Sequence, residues 1–467
     1  MDGDERVLTS GSILVAEGRI QSVHASADAE TDRQMLGRFT PERVIEATGM
    51  IALPGLVNCH THTTEILLRG AGGADRSLYD WQWNLVYPAS LAYSTEDVYT
   101  ASLLYAVDAL RAGTTTFVDN SNSARSRELA LAALQAYERS RARAVLAPVF
   151  AVAPLPDDGL LTLGRAVQGS DVRVPPEAML LKLDDVATLL ASLMAEHGDL
   201  GDDRIAVWPA PHKPNRTSVA SLELAHSLVQ RHGGMVSQPC AEVAAERDVG
   251  DVSAVEHLAR VGALNERTLL GHCVHVSDVD IVAIASAGAS LAHVPVANLF
   301  LGSGIAPVPA MRAGGVTTGL GTDNANCNDT TSILREATLA ALIHKGVTED
   351  AEAMRAADAL SMATRDGARA IGRDDLGALE AGRRADIVLL DADRAALTPL
   401  HDPVAAVVYQ AFGGEVHTTI VGGEILMDAG TLTFMTEDDE VALRDEAQRR
   451  SSDLLGRISR PRPTSGS

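Results

Sequence analysis

The chain has 467 residues, 46% of them hydrophobic, and a formal charge of -23 at pH 7. A single β/α barrel takes roughly 250 residues, so one large domain with a smaller companion is expected. The acidic balance has no basic tract to relieve it, which argues against a nucleic-acid or anionic-membrane partner and fits a small organic substrate, neutral or cationic.

Four cysteines, Cys59, Cys240, Cys273 and Cys327, stand singly. That usage reads as a reducing, cytoplasmic setting rather than a secreted disulfide framework. The amino terminus carries no leader pattern and no run of about eighteen apolar residues occurs, so a soluble protein is expected.

In chain order, residues 8–23 are strand-like. The run from Met50 to Leu53 then leads through Pro54 and Gly55 towards His60 and His62. Seven further short apolar runs follow at 114–118, 144–149, 205–209, 234–238, 268–271, 290–293 and 316–319. Helical spacing separates them at 96–112, 126–139, 186–197, 218–232, 253–261 and 278–287. Eight strand-helix units predict a parallel sheet closed into a (β/α)8 TIM barrel over residues 54–376, with its chemistry at the carboxyl ends of the strands. The remaining strand-like runs, 384–391, 416–421 and 423–427, predict a small flanking β-sandwich built from both chain ends, residues 1–53 and 377–458. The polar, proline-rich tail at 459–467 is expected to be flexible.

His60 and His62 are two apart on an extended segment, so both imidazoles share a face and can grip one cation. A lone His-x-His is common by chance. Its weight comes from His272, closing the run from Thr268, and Asp323, closing the run from Val316. Together they form a mixed nitrogen and oxygen shell suited to one or two divalent ions of zinc, cobalt, iron or manganese. Such a shell with an open position acidifies water to a pKa of about 7. Asp323 is placed to take that water's proton, and Glu242 to carry one to a leaving group if burial raises its pKa. The expected reaction is hydrolysis.

The ordered set Pro54-Gly-Leu-Val-Asn-Cys-His60-Thr-His62, Ala112-Gly-Thr-Thr-Thr-Phe-Val-Asp119, Gly271-His272-Cys-Val-His275, Ala292-His293-Val-Pro-Val-Ala-Asn298 and Gly321-Thr-Asp323 resembles the amidohydrolase superfamily, in its triazine hydrolase and aminohydrolase branch. The stretch Gly377-Ala-Leu-Glu-Ala-Gly-Arg-Arg-Ala-Asp386 looks like that branch's return into its β-sandwich. The resemblance implies His60, His62 and Asp323 as metal ligands and His272 as a ligand or an acid/base group. It also implies that His293 and Asn298 line or brace the pocket mouth. One departure stands out. The branch usually carries a metal-binding histidine on the fifth strand, three residues before a glutamate, where this chain has Pro239 before Glu242. Gln238 is the expected substitute ligand, with Cys240, or no fifth-strand ligand and a shell that uses His272 directly, as the alternatives. Lys182, which precedes a helix, is not expected to serve as a carboxylated metal bridge.

His212, after the fourth strand, is a candidate substrate contact or a loop histidine with local bonds. Trp83, with Trp81 and Tyr87, forms either an aromatic wall over the site or rim packing. Asp119, Asn120 and Asn122 end the second strand as ligand contacts or turn residues. The general look is nearest to branch members that cleave phenylurea or thiocarbamate herbicides. The leading expectation is therefore a metal-dependent hydrolase of a small neutral urea, carbamate, thiocarbamate or amide, with deamination of a triazine or purine as the alternative. A barrel that has lost catalysis and serves as a scaffold is the rival of another class. A homo-oligomer is expected from the family's habit.

Overall fold

The computed structural model describes residues 7–25, 41–72, 75–152, 176–198 and 204–459. Eight barrel strands occur where the apolar runs predict them. They are Leu56–His62, Thr114–Ser121, Arg143–Phe150, Ile205–Val207 with its continuation Ala210–Pro211, Val236–Cys240, Thr268–His272, Ser290–His293, and Thr318–Leu320 with its continuation Asp323–Asn324. Strands one to four pair in parallel, as do strands five to eight. The split eighth strand closes one seam: its first half pairs with strand seven, and Asp323–Asn324 crosses to pair with Thr61 and His62. Across the other seam the Ser237 N–H donates to the Pro209 carbonyl at 3.2 Å. The ring of a TIM barrel is the result.

The outer helices start where the sequence supplies a cap. Ser94, Ser126, Ser218, Ser253 and Ser277 each accept a backbone N–H in the first turn of the helix that follows. The helix Leu183–His197 begins three residues before its apolar spacing does, because Asp184 and Asp185 favour the positive end of a first turn. Inward side chains Val57, Val118, Val145, Ala206, Leu269 and Ala292 fill the barrel, joined by Ala368 and Ala370 from the helix Arg365–Ala370. Each fully buried valine or leucine among them contributes about 1.5–3 kcal/mol.

A five-stranded antiparallel sheet flanks the barrel, with Met50–Pro54 at one edge beside Ile387–Asp391, then Val416–Val421, Glu424–Asp428 and Thr431–Leu432. The hairpin Gly11–Ala16 and Arg19–Ala25 packs Ile13, Val15, Ile20 and Val23 against Ile387, Leu389 and Ile420 of that sheet. Arg143, at the start of the third strand, ties sheet to barrel through a buried ion pair with Asp386 at 3.1 Å. Among the described residues no helix is long and apolar enough to cross a membrane. Residues 460–467 of the expected tail lie outside the described residues.

Candidate metal centre

The first strand would turn His60 outwards if it ran regularly, since Val57 and Cys59 already face the interior. A bulge corrects this. Asn58 pairs with Phe117 and Thr61 with Asp119, so three residues on strand one oppose two on strand two. The extra residue brings His60 and His62 onto the inner face, with ring centroids 5.1 Å apart, and sends Thr61 outwards. Asp119, on the outer face of strand two, then fixes the exit of the strand by accepting from the Thr63 N–H at 2.8 Å and its hydroxyl at 3.0 Å.

His272 ends strand six and Asp323 opens the continuation of strand eight, both in left-handed backbone, at φ 67° and 57°, a conformation that tight turns at functional sites enforce. The turn after strand six is held by the Cys273 N–H on the Cys240 carbonyl and the His275 N–H on the Ala241 carbonyl, both at 2.9 Å. Gly321 lets strand eight swing across. A Cβ there would stand 2.8 Å from the His60 carbonyl oxygen and 2.9 Å from its Cβ.

These devices bring His60, His272 and Asp323 together, all buried, with one donor atom of each within 4.8 Å of the others. His62 Nε2 lies 3.3 Å from Asp323 Oδ1. Two features show that the group fits a cation. His60 Nε2 is buried with no hydrogen-bond partner, an orphan that metal ligation satisfies. In addition, His272 Nδ1 stands 3.0 Å from Asn298 Oδ1, which makes Nδ1–H the donor and turns the Nε2 lone pair to the site. Asn120 backs His60 in the same way. Its amide spans His60 Nδ1 at 2.9 Å and the Ser237 hydroxyl at 2.8 Å, and exchanging the amide's two ends preserves both contacts while placing its carbonyl on Nδ1–H.

Burial, outweighing the pull of Asp323, holds His60 well below the ordinary imidazole range. Burial also works against a charge on His62, but its bond to Asp323 and the carboxylates of Glu65 and Asp119 push it up to about 9. Asp323 is correspondingly held well below the carboxylate range: burial opposes its charge, and the His62 bond with the imidazoles of His272 and His60 overcomes it. The proton of this pair therefore resides on His62, and a cation would displace it. Glu65, buried three residues beyond His62, is pushed up to about 8 by burial; nothing in the sequence reading singled it out.

The fifth strand departs from the expectation. Ser237 faces the interior, bonded to Asn120, and Pro239 shares that face, its Cα 3.5 Å from where a Gly271 Cβ would stand, a point also 3.5 Å from the His60 ring. Gln238, the expected substitute ligand, points to the other face. Its Nε2 donates to the His212 carbonyl at 2.7 Å, and Cys240 packs with the outer helices. The side-chain period of a strand puts these two outside once Ser237 is inside. Lys182 is exposed at the start of its helix.

Glu242 reaches back to the site, its Oε2 3.7 Å from His272 Nε2 and 2.9 Å from Lys213 Nζ. His212 and Trp83 meet at Tyr87, whose hydroxyl lies 3.3 Å from His212 Nε2 and whose ring lies 4.6 Å from that of Trp83. Trp81 donates to Asn326 Oδ1 at 3.1 Å, anchoring this aromatic segment to the loop beyond Asp323. His293 turns towards the helix Ile333–Thr348, its ring centroid 5.4 Å from that of His344. It braces the wall between strand and helix there, and burial holds it well below the ordinary imidazole range.

Residues 51–426 match the model of the amidohydrolase family. The chain is 40% identical over 276 residues to an S-triazine hydrolase of Gordonia rubripertincta, a match spanning 59% of this chain and 58% of that one. It is 32% identical over 461 residues to a 5-methylthioadenosine/S-adenosylhomocysteine deaminase of Pelotomaculum thermopropionicum, covering 98% and 97% of the two chains. An adenosine deaminase of Xanthomonas campestris, solved with bound zinc, superposes with a TM-score of 0.82 at 27% identity over 96% of this chain and 94% of that one. The chain belongs to the amidohydrolase family, in its branch of triazine hydrolases and aminohydrolases, and is a hydrolase.

Proposed function

We propose that this hydrolase acts on a small nitrogen heteroaromatic of the triazine or purine kind, replacing an exocyclic amine on a ring carbon by oxygen from water. The observation that carries the reading is the buried convergence of His60, His272 and Asp323 with Glu242 alongside His272. The named activities of the relatives, triazine hydrolysis and adenosine-type deamination, support the substrate class.

His60, His62, His272 and Asp323 would hold a divalent cation, with zinc the leading choice. When bound, that ion acidifies water and draws electron density from the carbon under attack. The remaining work falls to the protein. Asp323 takes a proton from the attacking water on its carboxylate, and Glu242 carries a proton to the departing nitrogen. His212, with Trp83 and Tyr87 behind it, walls the substrate side. Hydrolysis of a urea, carbamate or thiocarbamate is the second reading, favoured by Pro239 where the branch usually has an imidazole.

The test loads the purified protein with zinc and measures ammonia release from triazines and purines beside amine or thiol release from ureas and thiocarbamates. Ammonia from the heterocycles is expected. Amine or thiol release alone would select the second reading, and turnover of neither panel would overturn the substrate class.

A further inference from the structure

Lys213 follows His212 in the loop after strand four, a place where lysine is ordinarily solvated. Here it is 2% exposed. Its ammonium lies between two buried carboxylates, 2.9 Å from Glu242 Oε2 and 2.6 Å from Glu246 Oε1. Glu246 also accepts from the Tyr79 hydroxyl at 3.0 Å, so one side of the ammonium is anchored to the wall. The Lys213 backbone N–H donates to His212 Nδ1 at 2.8 Å, which places the proton of that ring on Nε2, facing Tyr87. Arg216, its Nη1 3.1 Å from the Tyr87 hydroxyl and its guanidinium over the Tyr79 ring at 5.1 Å, adds a second buried cation.

We infer that Lys213 is a positioning residue that sets both walls of the active site: it aims the Glu242 carboxylate at His272 through its ammonium and fixes the His212 ring through its backbone. The oxygen it grips, Oε2, is the one 3.7 Å from His272 Nε2. A buried ammonium is tolerated only when paired, and Glu246 alone would suffice for that. The second contact, to Glu242, is what neutralising Glu246 does not require. With two carboxylates and two cations the cluster is balanced, so no charge is left to draw Glu242 elsewhere. This inference rests on the reading of Glu242 as the proton carrier.

Two variants of the zinc-loaded full chain separate positioning from charge compensation. Lys213→Met alone takes the ammonium from both Glu242 and Glu246, leaving one buried carboxylate in surplus, and is expected to lower the melting temperature. Lys213→Met with Glu246→Gln removes one cation and one carboxylate together, so the cluster stays balanced in charge and the melting temperature should recover. If Lys213 positions Glu242, the double variant keeps its zinc but its kcat falls about a hundredfold with KM nearly unchanged, the scale of a displaced catalytic group. Its crystal structure would then show Glu242 withdrawn from His272. Glu242 retained at its wild-type distance from His272, or a double variant whose kcat recovers to within twofold of wild type, would overturn the inference. Glu242→Gln tests the underlying reading separately: unchanged turnover there would reject the proton carrier, while the structure of the double variant still decides the positioning.

Discussion

Replacing Asn298 by alanine removes the carbonyl that holds the His272 ring from behind. The bond is 3.0 Å long, and both residues are almost fully buried, at 3% and 1% exposure, so water cannot take over the vacated acceptor. A buried N–H without a partner costs about 1–3 kcal/mol. Loss of a backing group behind a ligating imidazole weakens metal affinity or activity about 10- to 100-fold, equivalent to about 1.4–2.8 kcal/mol. The two ranges agree because they describe one event: the ring gains freedom to change tautomer and swing, and its Nε2 is no longer pre-set. Titration against a competing chelator measures the zinc affinity, and kcat is read in parallel. Asn298→Asp, which keeps an acceptor at the same reach, should retain affinity within threefold of wild type. Zinc affinity and kcat both unchanged in Asn298→Ala would show that the contact does not orient His272.

Gly321→Ala forces a methyl into the His60 backbone at 2.8 Å and should cut the zinc retained after dialysis by more than half, measured by elemental analysis. Arg143→Met strands Asp386 without its cation at 2% exposure and is expected to destabilise the protein by about 3–5 kcal/mol in denaturant unfolding, with Asp386→Asn recovering much of the loss. Burial holds His344 down to about 4, below its ordinary 6.5, so the fold favours the neutral ring. That stability is present above pH 6.5 and is lost as pH falls towards 4. His344→Phe should therefore gain on wild type by up to about 3 kcal/mol between pH 7 and pH 4, read as the difference of their denaturant midpoints.

Strand positions were legible because each apolar run ends in turn residues and each intervening segment has helical spacing. Most helix starts lie within a residue or two of expectation, set by serine caps that a sequence displays openly. What stayed hidden depends on which way a strand faces. The spacing of His60 and His62 shows that they share a face, yet only the bulge opposite Phe117 and Asp119 makes that face the inner one. Gln238 is chemically the better substitute for a missing imidazole, but alternation along the fifth strand gives the inner position to Pro239 instead. Lys213 and Glu242 are 29 residues apart and meet only once strands four and five are side by side, so neither signals the other in the sequence. The turn of His293 towards His344 is equally non-local.

Anomalous diffraction at the zinc edge from crystals of the zinc-loaded protein tests the centre most directly. A single strong peak within about 2.0–2.2 Å of donor atoms of His60, His62, His272 and Asp323, with Gln238 remote from it, is the predicted result. A peak held by other residues, or none at all from protein that still turns over substrate, would contradict it.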